Sequence, residues 1–485
     1  MLVRICAAFA TFAAFAVMVP AALGQRGAPL RAGVSATDIT PKQWPVRLIG
    51  GYEEPLAGSA HDPLHARALV LDDGRTKIAI VVVDSCFMPR ALDDRARNRA
   101  GKATGIPSSH ILIAATHTHT APPAKPEGAS AVELAYQELL ELQIAQAVIE
   151  ANQRLEPAQI GWGVRQEPGE LHNRRWWMKP GSIPPDPFGN STDKVRMNPP
   201  CASPDLIKPA GPVDPGFTVV SVKTAAGKPL ALLGNYSLHY VGGIAGHQLS
   251  ADYFGEFARQ IAGRLQNEGA DSGFVGILSN GTSGDVNNID FEHPAPSRQP
   301  FEQIQRVAGK LVDSAIVAYR ETRYYDRVML AAENRELPLR YRKPSAEMVE
   351  RARRVLAGTD EKDLPQHAKD YARRALKLQE GPDMADVKLQ ALRIGDLGIA
   401  AIPCEVFTET GLEIKAKSPF PTTFTMELAN GHYGYLPTPE QHELGGYETW
   451  LGANLLEKEA SRKITATILE MFTRLAKAQP GEREK

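Results

Sequence analysis

Residues 78–84 read Ile-Ala-Ile-Val-Val-Val-Asp, and residues 111–115 read Ile-Leu-Ile-Ala-Ala. Between them, residues 92–104 place Leu92, Ala96 and Ala100 one helical turn apart. An unbroken, β-branched apolar run of this length is the mark of a strand buried on both faces. Strand, helix and strand in this order make a crossover unit, and a chain of such units folds as α/β with a parallel or mixed sheet. Outward from this core, residues 66–71 form a strand ending at the Asp73-Gly74 turn, and residues 132–155 a helix. Strands over 217–222 and 230–239 flank a Gly227-Lys228 turn, followed by a helix at 253–268, a strand at 274–278 and a helix at 302–320. Residues 397–402 and 424–428 read as strands, and 406–417 and 457–477 as helices. The expected fold is α/β, a large mixed β-sheet core flanked by helices.

Two stretches break the rhythm. Residues 167–215 are crowded with Pro, Asn, Arg and Trp, and loops of that length carry function or lack order. The Trp176-Trp177 pair favours an ordered one. Residues 345–380, within an insertion at 341–390, are charged with helical spacing and read as a solvated helical face. At the amino end Arg4, the apolar run Ile5–Ala22 and the small residues of Ala22-Leu23-Gly24 make residues 1–24 a cleavable signal peptide. The expected division is a catalytic domain over 25–478 and a tail over 479–485. The mature chain holds no later apolar run of about 18 residues, so no transmembrane segment is expected. Its place is the periplasm or the outside of the cell.

The 485 residues carry 55 Lys plus Arg against 56 Asp plus Glu. A balance so close to neutral gives no field that attracts nucleic acid or an anionic membrane. Past the signal peptide only Cys86, Cys201 and Cys404 remain, which rules out a disulfide scaffold and a thiolate zinc site. They read as small buried hydrophobes.

The chemistry begins at Thr116-His117-Thr118-His119-Thr120, just past a buried strand. If the strand runs on, His117 and His119 share one face and reach one site. His239 ends another apolar run, with Asp252 soon after. Glu405 follows the strand at 397–402, and Gly431-His432-Tyr433-Gly434-Tyr435 follows the strand at 424–428. Each residue alone reads as structural. Four strand ends carrying His, His, Glu and Tyr together match the donor set of a catalytic zinc. Spacing alone does not choose Tyr435 over Tyr433.

These segments resemble the neutral/alkaline, non-lysosomal ceramidases. Asp38-Ile39-Thr40-Pro41 is similar to that family's opening motif, and Ala115-Thr116-His117-Thr118-His119 to its ATHTHSG stretch, with Thr120-Ala121 in place of Ser-Gly. His172-Asn173-Arg174, Pro403-Cys404-Glu405 and Tyr435-Leu436-Pro437-Thr438-Pro439-Glu440 continue the match, with His432 replacing a family Tyr. The likeness runs in order over roughly residues 32–450, leaving no room for the family's C-terminal immunoglobulin-like domain. It implies a zinc ion held by His117, His239, Glu405 and Tyr435, with His119 and Arg174 facing the substrate carbonyl. One departure stands out. Gly284-Asp285-Val286 is kept, but Asn287-Asn288 replaces the family's Ser-Pro, and Asn cannot form an acyl-enzyme.

The resulting expectation is a zinc-dependent amide hydrolase acting on a small or lipid-like N-acyl substrate through metal-activated water. His119 or Asp252 assists proton transfer and Arg174 steadies the oxyanion. Trp176, Trp177 and Asn287 are candidate substrate contacts, although the Trp pair reads equally as a packed anchor. An esterase or lactonase with the same metal, or a secreted binding protein without chemistry, are the alternatives.

Overall fold

The computed structural model describes residues 28–358 and 363–478. The expected signal peptide over 1–24, the expected tail over 479–485 and residues 359–362 lie outside the described residues. The main sheet has eight strands: β1 (Arg31–Asp38), β2 (His65–Asp72), β3 (Lys77–Val83), β4 (Ile111–Ala115), β5 (Glu156–Gln166), β6 (Gly216–Thr224), β7 (Pro229–Tyr236) and β8 (Val275–Asn280). They lie side by side in the order β8-β7-β6-β5-β1-β2-β3-β4. Only β3/β4 and β7/β8 run parallel, so the sheet is mixed as expected.

β3 shows why the sequence reads as it does. Val81 and Val83 pack beneath helices α1 (Arg90–Thr104) and α2 (Ala131–Gln153), while Ile80 and Val82 point the other way into a second core. Both faces of the period-2 strand are therefore buried. Ser130 and Glu133 start α2 with a reciprocal capping box. Helices α3 (Asp252–Gln266) and α4 (Glu302–Glu321) cover β6–β8 on the same side through Phe254, Phe257 and Leu311.

The second core belongs to a sheet the sequence reading did not separate. Strands β9 (Leu330–Arg340), β10 (Met384–Ile394), β11 (Leu397–Ile402) and β12 (Thr422–Glu427) lie in that order, with β11/β12 parallel. Leu392, Ile399 and Phe424 meet Ile80 and Leu233 between the sheets. Helices α7 (Thr408–Lys417) and α8 (Ala460–Lys477) close the outer face. The insertion expected over 341–390 holds two helices, α5 (Ala346–Ala357) and α6 (Ala368–Glu380), but it is not helical to its end, since residues 384–390 belong to β10. Among the described residues no helix is long and apolar enough to cross a membrane, and the three cysteines are free.

Three parallel pairs, each bridged by a helix, are the positioning device. The main sheet curls until its edges meet, where Asn280 Nδ2 donates to the Thr116 carbonyl. The segment after β12 then joins β4, Ala115 N–H donating to Leu428 and Asn430 N–H to Ile113. The carboxyl ends of β4, β7, β8, β11 and β12 thus open onto one place, where ligand sites in α/β sheets gather.

Candidate metal centre

β4 stops at Ala115, and His117 takes a left-handed backbone with φ of 74°. His117 and His119 therefore meet through a turn and not through strand alternation, which corrects the expected route to the same result. The turn sets the His117 Nδ1 atom 2.8 Å from the Cys86 carbonyl. Three residues beyond β7, His239 sets its Nδ1 3.0 Å from the Ser283 carbonyl. A carbonyl only accepts, so in a neutral ring it claims the Nδ1 proton and leaves Nε2 with its lone pair. The two Nε2 atoms stand 3.0 Å apart.

Glu405 adds a third donor. Its Oε2 lies 3.3 Å from His117 Nε2 and 3.9 Å from His239 Nε2, yet this buried oxygen accepts no hydrogen bond. Two imidazole lone pairs and a bare carboxylate oxygen, within 4.8 Å of one another, are costly without a positive charge between them. Burial opposes charge on His117, but Cys86 and Glu405 outweigh it and raise the ring well above its ordinary value. Burial and the neighbouring Arg174 hold His239 well below its own. The cluster thus draws one positive charge, and neutral imidazoles with a carboxylate fit a divalent ion such as zinc.

Glu405–Val406 pairs in parallel with Tyr435–Leu436, which brings Tyr435 beside Glu405 at the floor of a cavity of about 540 Å³. Burial pushes the Tyr435 phenol well above its ordinary value, and the Arg174 guanidinium lies 5.2 Å from its ring. His119 lines the same cavity. Its Nε2 is 3.1 Å from His117 Nε2, and its ring stacks on Tyr240 at 3.7 Å. Gly50 makes room for it: φ is 122°, and a Cβ there would sit 2.4 Å from His119 Cγ.

The same architecture occurs in two solved structures. A ceramidase complexed with C2 matches with a TM-score of 0.70 at 17% identity, over 94% of this chain and 77% of that one. The neutral ceramidase from Pseudomonas aeruginosa matches at 0.69 and 18%, over 94% and 76%. The chain has the neutral ceramidase fold. No family model and no curated protein sequence matches it.

Within this ceramidase fold the Gly-Asp-Val segment serves as a brace. Gly284 lies against the Glu405 main chain, where a Cβ would come within 2.6 Å of the Glu405 carbonyl oxygen. Asp285 accepts from Asn173 Nδ2 and from Thr408, and its carbonyl accepts from Arg174 N–H. Arg174 is buried, donates from Nε to Glu448 at 2.9 Å and sets Nη1 3.2 Å from His239 Nε2. Its Nη2 has no hydrogen-bond partner.

The other expected residues sit apart. Both Asp252 oxygens take main-chain N–H groups, from Val241, Gly242 and Tyr253. The carboxylate thereby shapes the turn that carries Tyr240. Trp176 is buried in a satellite cluster with Met178 and Phe291, and half-buried Trp177 lies under Lys208. Asn287 donates to Asn198 and pairs with His172 across a short ladder. None of these four lines the cavity.

Several contributors escape a sequence reading. Glu427, at the end of β12, accepts from Ser283 N–H, from the Ser283 hydroxyl and from Val406 N–H. It ties the loop of His239's carbonyl partner to the loop of Glu405, and burial pushes it up to about 8. His432 stacks on Phe87 and places Nε2 3.4 Å from Glu405 Oε1. Cys86 acts through its carbonyl, which no side-chain motif reveals.

Proposed function

We propose that this chain is an exported zinc-dependent hydrolase that cleaves the amide bond of an N-acyl substrate. The convergence of the His117 and His239 Nε2 atoms with the unpartnered Glu405 Oε2 carries the reading. His117, His239, Glu405 and Tyr435 would hold the ion, which supplies a polarised carbonyl and a water whose pKa falls toward about 7. The remaining steps fall to the protein. His119 is kept neutral by burial and by His117, so its Nε2 accepts a proton from the attacking water and returns it to the departing amine. The stack on Tyr240 holds that ring in place. Arg174 does not line the cavity, but its buried Nη2 has no hydrogen-bond partner and is the donor we assign to charge developing on the carbonyl oxygen. The cavity has the volume of a small-molecule site.

With Asn287 outside the cavity, the pathway needs no acyl-enzyme. An ester or lactone would meet the same groups, so the linkage is the point to test. The purified chain should carry about one zinc per molecule and hydrolyse N-acyl amines faster than matching esters, and chelation should abolish both. Metal-free protein, or turnover indifferent to chelation, overturns the reading. Residues 1–24 support export; mass analysis of mature protein should find its start just after Gly24.

A further inference from the structure

The cavity above the metal centre is walled by the insertion, and that wall is cationic. α6 contributes Arg374 and, one turn on, Lys377; Lys125 stands half-buried on another wall, 5.8 Å from the Phe87 ring. Among the described residues none of the three pairs with a carboxylate. Of the acidic side chains lining the space, Glu54 is tied to Arg47 at 2.7 Å and Glu405 faces the imidazoles, so only Glu127 at the exposed rim is uncommitted. The whole chain has a formal net charge of −1, so this excess is local.

Arg374 is held in place rather than waving in solvent. Its guanidinium lies 4.9 Å from the Tyr371 ring and 5.8 Å from the Tyr52 ring, with a hydrogen bond of 3.3 Å to the Gly452 carbonyl. Tyr52 and Tyr371 share a hydroxyl contact of 3.1 Å. The Tyr447 ring packs between Tyr52 at 6.2 Å and Tyr435 at 5.5 Å. Two aromatic rings therefore separate the guanidinium from the residue at the cavity floor. A half-buried fork with no counter-ion, fixed by rings beside an open cavity, is built to receive an anion.

We infer that the substrate carries an anionic group several bonds from the scissile linkage, which Arg374, with Lys125 and Lys377, binds. This rests on the amide-hydrolase reading above and narrows it, from neutral N-acyl lipids to N-acyl compounds with a distal carboxylate. With the Tyr52 and Tyr447 rings between Arg374 and Tyr435, the proposal places the carboxylate several bonds from the amide and not directly beside it.

The test compares three probes on the full-length zinc-loaded enzyme: N-lauroyl-6-aminohexanoate, N-lauroyl-hexylamine and N-lauroyl-glycine. The expected order puts aminohexanoate about tenfold or more ahead of the other two in kcat/KM, through KM, with a preference that fades as salt rises. Arg374→Met should lower the aminohexanoate-to-hexylamine ratio about tenfold, and Arg374→Lys should recover part of it. Equal use of aminohexanoate and hexylamine, or a ratio unmoved by Arg374→Met, overturns the inference and leaves the amidase reading standing. If no probe is cleaved, the amidase reading falls and calorimetric binding decides the subsite. Aminohexanoate binding that Arg374→Met weakens supports it; no such binding overturns it. Matching thermal unfolding of variant and parent shows that the fold is intact.

Discussion

The Nε2 atoms of His117 and His239 stand 3.0 Å apart, while the Nδ1 atom of each ring rests on a main-chain carbonyl, Cys86 for one and Ser283 for the other. Those carbonyls fix which nitrogen faces inward, so the pair points two lone pairs at one spot. Orientation by a partner on the far nitrogen is how proteins prepare imidazole ligands. His117→Ala and His239→Ala should each reduce bound zinc from about one per chain to under a tenth, read by elemental analysis. The same protein stripped by chelator should unfold at a temperature several degrees lower, because the ion binds the folded state alone.

Gly50→Ala separates the proposed proton-handling ring from the proposed metal ligands. The added methyl group meets His119 Cγ at 2.4 Å, on a backbone at φ 122° that L residues avoid. Zinc content should hold while kcat falls about 10- to 100-fold as His119 leaves its stack on Tyr240. Full kcat in this variant would remove His119 from the chemistry.

Glu427→Ala takes the acceptor from two buried main-chain N–H groups and one hydroxyl. Ser283 and Val406 lose their common anchor, so His239's carbonyl partner and the Glu405 loop drift. Zinc affinity should weaken about 10- to 100-fold in competition with a chromophoric chelator.

Asp93 predicts a pH effect away from the metal. It is fully buried on α1, neither oxygen has a hydrogen-bond partner, and burial raises it to about 7. The folded chain therefore keeps a proton that the unfolded chain has lost above about pH 4. The stability this proton contributes is complete below that pH and disappears as pH climbs through about 7. Asp93→Asn should accordingly lose less Tm than the parent between pH 5 and pH 8. At pH 8 the variant should be the more stable, by on the order of 2–4 kcal/mol.

Much of the scaffold was legible. The strands at 111–115 and 397–402 fall on the residues expected, because a strand buried on both faces leaves an unbroken apolar run. His117, His239 and Glu405 follow β4, β7 and β11 within three residues, whereas Tyr435 lies eight residues beyond β12, in a short ladder with Glu405. β9 escaped: an edge strand with Glu333, Arg335 and Glu336 is half wet and shows no clean alternation. α6 was read as a solvated face because its charges match one, and nothing local tells a cation facing water from a cation facing a cavity.

Sequence alone determined where apolar runs must be buried, where turns interrupt them and which His and Glu side chains follow the strands. Those are properties of a few consecutive residues. That His117 turns left-handed, that the main sheet curls until β8 meets β4, and that α6 closes over the carboxyl ends were decided by the tertiary structure alone. Donors more than a hundred residues apart reach 3 Å only after the packing of both sheets has fixed how the crossovers lie, and no local pattern holds that information.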